Sequence, residues 1–422
     1  MALPHSSTHG LSPLPDLASH PAAAPSGLAP SKAGARRAFW AAAFVLALAL
    51  WSSGAPSVLY PLYAEQWDLS PVVVTSVFAT YQVALVITLP LFGNLSDLFG
   101  RRLVMIGGVA LVGVSALVFA VAPNVGFLFA GRVLQGVGAG LAMGAATASL
   151  VENNTSASPR FASSAATVST AIGLTAALAL SGLFAEFIAM PLVWSYVVLL
   201  GLAAMNIWLL ALSPDDRPTE RRRWRPQRPR VPAGIRLGFT ASTLSVALAY
   251  CVGAIFLSLG AHMIREFADT ENSALIGVIL ACSSATIGVT GLLLSRISAH
   301  ASVLAGALVT LLSLVLMAAA SVFGSLPLFF GWCLVGGVAY ALAFTGGLGL
   351  INRLAPAQHR GASLSLLYVI AYALQAGTAI GVGAIATGGS LADAVLVAAV
   401  VLGGMCVAVG VLVAVAGRRG SL

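Results

Sequence analysis

The sequence predicts an all-α membrane protein, with twelve transmembrane helices in two pseudo-symmetric six-helix halves. Three observations predict it. The 422 residues are 59% hydrophobic and only 8% charged, with a mean hydropathy of +0.97. A soluble protein gives about a quarter of its residues to charge, so most of this surface must face lipid. Apolar stretches recur at regular intervals, each near the roughly 20 residues that a helix needs to cross a bilayer. The chain also matches itself at an offset of 200, where Leu128–Gly136 (LFAGRVLQG) falls on Leu328–Gly336 (LFFGWCLVG).

In chain order, residues 1–38 are rich in Pro, Ser, Ala and His, with almost no charge before Lys32, Arg36 and Arg37. That composition reads as a disordered cytoplasmic tail. It is not a secretory signal, because no basic stretch precedes an apolar core. Spans are expected near 39–63, 71–92, 103–122, 126–150, 161–188 and 191–213, the N-terminal half (39–213). A basic cytoplasmic linker, 214–235, leads to spans near 236–263, 273–295, 301–322, 326–350, 361–387 and 390–416, the C-terminal half (236–417). Residues 418–422 form a short tail. An even number of crossings puts both ends on one face. Of the 21 Lys and Arg, all but Arg132 and Arg265 fall on that face or in its loops, and the positive-inside bias makes it cytoplasmic. The opposite loops carry acids instead, among them Glu65, Asp68, Glu186 and Asp269.

Several features have a plainer explanation than they first suggest. The run from Arg221 to Arg230 has the charge of a nucleic-acid patch, but between two spans it meets anionic headgroups, and its prolines break a regular helix. The partners expected are therefore lipids and a small-molecule solute, with no nucleic acid, and the chain is read as a monomer. Cys251, Cys282, Cys333 and Cys406 sit in separate apolar segments, where a thiol packs as a small hydrophobe. No metal and no cofactor are expected. No phosphate-binding loop of the form G-x-x-x-x-G-K-[ST] occurs, which argues against ATP-driven transport by this chain. Neither H-E-x-x-H nor a nucleophile elbow is present, so no enzyme is predicted.

The loop between spans two and three, Gly93-Asn94-Leu95-Ser96-Asp97-Leu98-Phe99-Gly100-Arg101-Arg102, is a charged island between two apolar segments. Its glycines permit turns that other residues resist. It resembles the G-x-L-x-D-x-x-G-R-[RK] signature of the major facilitator superfamily, with Gly93, Asp97, Gly100, Arg101 and Arg102 in place and Leu98 where an Arg is common. The corresponding loop of the second half, Gly291–His300, has lost the Asp and both Args. The resemblance implies twelve helices working by alternating access, and a gate or conformational switch at this loop. Asp97 is expected to dock on the cytoplasmic start of span eleven near Gly361, because the positive end of a helix dipole attracts an anion.

Span four carries Arg132-Val133-Leu134-Gln135-Gly136-Val137-Gly138-Ala139-Gly140, similar to the R-x-x-Q-G-x-G-A motif of the same superfamily. An Arg inside a membrane is expensive and faces an aqueous cavity or a partner, unless it snorkels outward. Gly136, Gly140 and Gly144 share one helix face, a close-packing pattern in lipid. Span five keeps Gly173 and Gly182 of the G-x-x-x-G-P-x-x-G-G drug-antiporter signature but has Ala177-Leu178 where Gly-Pro is expected.

For coupling, the candidates are Arg132, Gln135 and Glu65. Glu65 is either a solvated outer acid or a partner that approaches Arg132 and trades a proton for solute, since an apolar surround raises a carboxylate's pKa and an Arg lowers it. For the cavity, Tyr368, Tyr372 and Gln375 share one face of span eleven by their spacing, joined by Tyr81, Gln82, Tyr250 and Tyr340. Aromatic and amide chemistry suits an amphipathic organic solute. The expected function is proton-coupled efflux of drugs or small organic metabolites from a bacterial inner membrane. The alternatives are a permease importing an organic acid or sugar, and a transport-inactive sensor or scaffold.

Overall fold

The computed structural model describes residues 31–93, 95–156, 158, 160–216, 231, 233–294 and 297–418. Most of the expected tail and the Arg-rich part of the linker lie outside the described residues. The helices are α1 (Lys32–Trp67), α2 (Pro71–Phe92), α3 (Leu95–Phe99), α4 (Arg101–Ala120), α5 (Val125–Glu152), α6 (Arg160–Phe187), α7 (Pro191–Ala211), α8 (Arg236–Ala268), α9 (Ser273–Leu293), α10 (Ala299–Phe323), α11 (Leu326–Leu354), α12 (Ala357–Gly388) and α13 (Leu391–Arg418). All except the short α3 are long and apolar enough to cross a membrane. The twelve expected spans are therefore present. The largest boundary shift is at α1, which begins at Lys32, so the last residues expected in the tail are helical; α8 also runs on to Ala268.

Helix ends follow local chemistry. Ser31, Asn124, Asn272 and Ser298 accept from backbone N–H groups of the first turns they precede, which satisfies donors that a helix start leaves free. Proline opens α2, α7 and α11, where its missing N–H costs nothing. Asp68 and Asp269 end α1 and α8 in left-handed conformations, a repeat signal not read from the sequence.

Two halves result, each with six spanning helices: α1–α7, which includes the short α3, and α8–α13. Within them α4 packs on α5 and, correspondingly, α10 on α11; between them α2 packs on α12 and α6 on α9. In lipid, helices associate through close packing of small residues. A Cβ at Gly138 would lie 2.6 Å from the Gly108 carbonyl oxygen across the α4–α5 contact, and one at Gly306 2.7 Å from Ala343 N across α10–α11. The glycine stripe of α5 differs in one member from the sequence reading. Gly136 and Gly140 meet α2, but Gly144 faces open space.

An even number of crossings leaves Lys32 and Arg418 on one face, here named the tail face; the opposite one is the far face. Among the described residues, three polar contacts join the halves, and all lie at the far face. Arg265 of α8 is ion-paired with Glu65 of α1. Val72 N, at the start of α2, donates to Thr387 Oγ1 near the end of α12 (3.0 Å). Ser273 N, at the start of α9, donates to Glu186 Oε2 near the end of α6 (2.8 Å). The last two are copies of each other, since Val72 to Ser273 and Glu186 to Thr387 are both steps of 201 residues. Each half thus offers a helix-start N–H, one of the donors without a partner inside its own helix, to a side chain of the other half.

Candidate functional site

Arg132 is 0% exposed, so it does not snorkel. Its Nη1 donates to Gln135 Oε1 (2.7 Å) and to the Ser53 carbonyl (3.3 Å), and its Nη2 donates to the Tyr60 hydroxyl. The guanidinium also lies 5.5 Å from the centre of the Tyr60 ring, 5.9 Å from Tyr81 and 6.0 Å from Phe119, within the range of cation–π attraction.

The sequence of α1 frees one further acceptor beside this cluster. Pro56 lies inside α1 and has no N–H, so the Ser52 carbonyl loses its partner one turn on. Gln135 Nε2 supplies the missing donor, at 2.7 Å from Ser52 O. Gln135 therefore bridges Arg132 to the interrupted segment of α1. The Ser-Ser-Gly-Ala-Pro run held the signal for this, unread at the sequence level.

Glu65 does not reach this cluster. Its carboxylate is held by Arg265 at the far face, and the expected Glu65–Arg132 approach is absent from this conformation. The physical reason is position. Glu65 is in the last turn of α1, beyond Tyr60, and Tyr60 already occupies the guanidinium.

A cavity of about 250 Å³ lies between the halves. Its wall includes Tyr81, Gln82, Tyr250, Tyr340, Tyr372 and Gln375 of the seven expected residues. The seventh, Tyr368, is not in the wall; it lies behind it, stacked on Tyr372 (6.3 Å between ring centres). Tyr250 is the hub of the aromatic wall, with ring centres 4.8 Å from Tyr372, 5.8 Å from Phe344 and 6.2 Å from Tyr340. Phe344 and Trp332 were not foreseen. Trp332 stands 200 positions from Arg132 and lines the cavity, so one half presents an aromatic ring where the other buries a cation. Ser53 and Tyr81 are both in the wall and both touch Arg132. No Asp, Glu, Lys, Arg or His is among the lining residues. The wall runs from Trp332 to Gly291 at the tail-face end of α9.

The charged loop is braced inside its own half. Arg101 pairs with Asp97 and, at 3.1 Å, with Glu152 at the end of α5. Arg102 Nη2 donates to the carbonyl of Ala211, the last residue of α7 (2.7 Å), where a cation complements the helix dipole. Asp216 accepts from Arg102 N (3.1 Å). Burial pushes its carboxyl above the usual range, against the opposing pull of backbone N–H groups. Sequence reasoning passed over Asp216, although Asp215-Asp216 directly after span six was visible. The two loop glycines differ. Gly93 has an ordinary φ of −59°, so the conformational freedom expected there is not used. Gly100 has φ +89°, and a Cβ on it would lie 2.7 Å from Asp216 Oδ1, which favours glycine twice over. Among the described side chains Asp97 is paired with Arg101 and with nothing in α12, and a Cβ at Gly361 would meet nothing within 4 Å.

Two halves of six helices, each helix long and apolar enough to span a membrane, enclose a shared central cavity. The chain belongs to the Major Facilitator Superfamily, whose sequence profile matches residues 39–374. An MFS-type transporter of Aspergillus terreus is 31% identical over 93 residues. That match spans 22% of this chain and only 16% of the relative. Among solved structures, a bacterial homologue of the human lysosomal transporter Spinster, inward-facing and occupied, superposes with a TM-score of 0.69 at 15% identity, covering 90% of this chain and 96% of that one. The nucleoside transporter NupG gives 0.71 at 13% identity, with 90% and 99% covered. A POT family transporter in complex with 5-aminolevulinic acid gives 0.73 at 11%, with 90% and 96% covered. At such identities the likeness is one of fold.

Proposed function

We propose that this chain is a secondary active transporter that exports small amphipathic organic solutes by alternating access, exchanging them for protons. One observation carries the reading: an aromatic and amide-bearing cavity without charged side chains lies between the halves and leads toward the tail face, while polar contacts hold the far face shut. The bias of Lys and Arg makes the tail face cytoplasmic, so the conformation is inward-facing. Solute enters from the cytoplasm, the halves rock, and the far-face contacts part to release it.

A coupling carboxylate at the far face, Glu65, accords with a cavity wall that contains none. Protonation of Glu65 would cancel its attraction for Arg265 and favour opening, and export is coupled to an inward proton flow when that proton is then released toward the tail face. Purified protein in proteoliposomes loaded with a pH-reporting dye tests this. Export predicts proton movement that depends on added solute across a panel of organic amphiphiles. No solute movement with any member would overturn transport; solute movement without protons would overturn the coupling.

The loop Gly93–Arg102 acts as the tail-face latch in the other half of the cycle. Rocking brings Asp97 toward the start of α12 near Gly361, a position open here. Asp97→Asn is expected to slow flux at least several-fold, with membrane insertion and thermal stability close to wild type. Exposed pairs such as Asp97–Arg101 contribute little to stability. An unchanged flux would return the loop to an ordinary hairpin.

A further inference from the structure

We infer that the solute accepted by the central cavity is an aromatic organic anion. The inference rests on the transport reading only in taking this cavity as the solute site; what it adds is the charge of the ligand. Two independent observations carry it.

The first is an unbalanced charge. Arg132 is fully buried, and its partners are a phenol, an amide and a backbone carbonyl, all neutral. Its Nε has no acceptor at all. Every acidic residue of the described helices lies within a turn of a helix end or in the short α3: Glu65, Asp97, Glu152, Glu186, Glu266 and Asp393. No counter-charge therefore sits at the depth of the cavity among the described residues. A buried cation without one is a standing cost, and an anion in the adjoining cavity would relieve part of it. The cluster reaches that space through Ser53 and Tyr81, which belong to both.

The second observation is how the rings are used. An aromatic cage for a cation needs open ring faces, which carry the negative part of the quadrupole. Here Tyr250, Tyr340 and Phe344 stack on one another with interplanar angles of 18° to 28°. Near-parallel rings with centres about 6 Å apart do not enclose a point with their faces as a cation cage does, and they offer a flat aromatic ligand a surface to lie along. Gln375 adds an amide in the wall whose buried Oε1 has no hydrogen-bond partner. Nothing local pins that amide, and its NH₂ can turn toward an acceptor. A flat ring between aromatic walls, with its carboxylate on the Arg132 side, satisfies both features.

The test compares three probes of nearly one shape: naphthoate, naphthamide and protonated naphthylmethylamine, titrated calorimetrically into the purified full-length protein at neutral pH. Naphthoate is expected to bind about tenfold or more tightly than the amide, a difference of about 1.4 kcal/mol, with the amine weakest. Arg132→Gln should bring naphthoate close to naphthamide, whereas Tyr372→Ala should weaken both alike. Equal or tighter binding of the amide or the amine by the wild type would overturn the proposal, as would failure of all three to bind. The wild-type comparison decides even if the Arg132 variant does not fold. Binding in detergent needs no gradient. A preference for the anion in a protein that moves no solute would sink the transport reading and leave this inference standing.

Discussion

Arg132→Ala is expected to lower stability by on the order of 3 kcal/mol and to remove nearly all transport. The guanidinium is the donor for the Tyr60 hydroxyl, Gln135 Oε1 and the Ser53 carbonyl, all in a buried site. Each acceptor left unsatisfied costs roughly 1–3 kcal/mol. Removing an uncompensated buried charge returns part of that, which is why the expectation sits well below the simple sum. Because Gln135 also supplies the donor for the carbonyl that Pro56 frees, the damage should spread into α1. Arg132→Lys should fall between wild type and Ala, since a single ammonium cannot reach every acceptor that the planar guanidinium spans. Thermal unfolding in detergent and flux in proteoliposomes check the two effects separately. A variant with unchanged melting and unchanged flux would remove Arg132 from the site.

The second large effect is expected at the helix crossings between the halves. A Cβ at Gly182 of α6 would lie 2.5 Å from Ser273 O and 2.8 Å from the Cα of Gly277 in α9. The clash is with backbone, so a side chain there must push the helices apart. Gly383 of α12 holds the matching place against α2, where a Cβ would lie 3.0 Å from Pro71 O. Overpacking of this kind costs about 1–3 kcal/mol, and every 1.4 kcal/mol shifts a two-state equilibrium by about tenfold. Gly182→Val should therefore disfavour the far-face-closed conformation while leaving each half folded. Flux should collapse, and a cysteine introduced by Val72→Cys should become more reactive to a polar thiol reagent from the far side. Normal flux, with the introduced thiol no more reactive than in the Val72→Cys protein alone, would show that the two helices do not need this approach.

Much of the fold was legible because it depends on local properties. The length and polarity of each segment decide whether it can span a membrane, and α2, α4 and α7 begin and end close to the polarity changes in the sequence. Arg132 stood out for the same reason, as a charge where lipid permits none without a reason. What surrounds it did not, because Tyr60, Phe119 and Tyr81 are ordinary apolar-segment residues until three other helices bring them together. Glu65 shows the limit from the other direction. Its sequence neighbourhood allowed a solvated outer acid or an approach to Arg132, and only the relative placement of α1 and α8 brings it to Arg265. Thr387 carried no signal alone, yet its relation to Glu186 across the repeat was written in the chain. Together with the starts of α2 and α9, that relation marks the far-face closure in the sequence itself.

That closure is where the central claim is most exposed. Val72 and Thr387 meet across the halves through a 3.0 Å hydrogen bond, and transport by alternating access requires them to part in every cycle. The measurement is flux through proteoliposomes containing Val72→Cys with Thr387→Cys, before and after oxidative crosslinking and again after reduction, with each single cysteine variant as control. Reversible loss of flux, in proportion to the fraction crosslinked on a gel, is the predicted result. Undiminished flux through fully crosslinked protein would contradict the account.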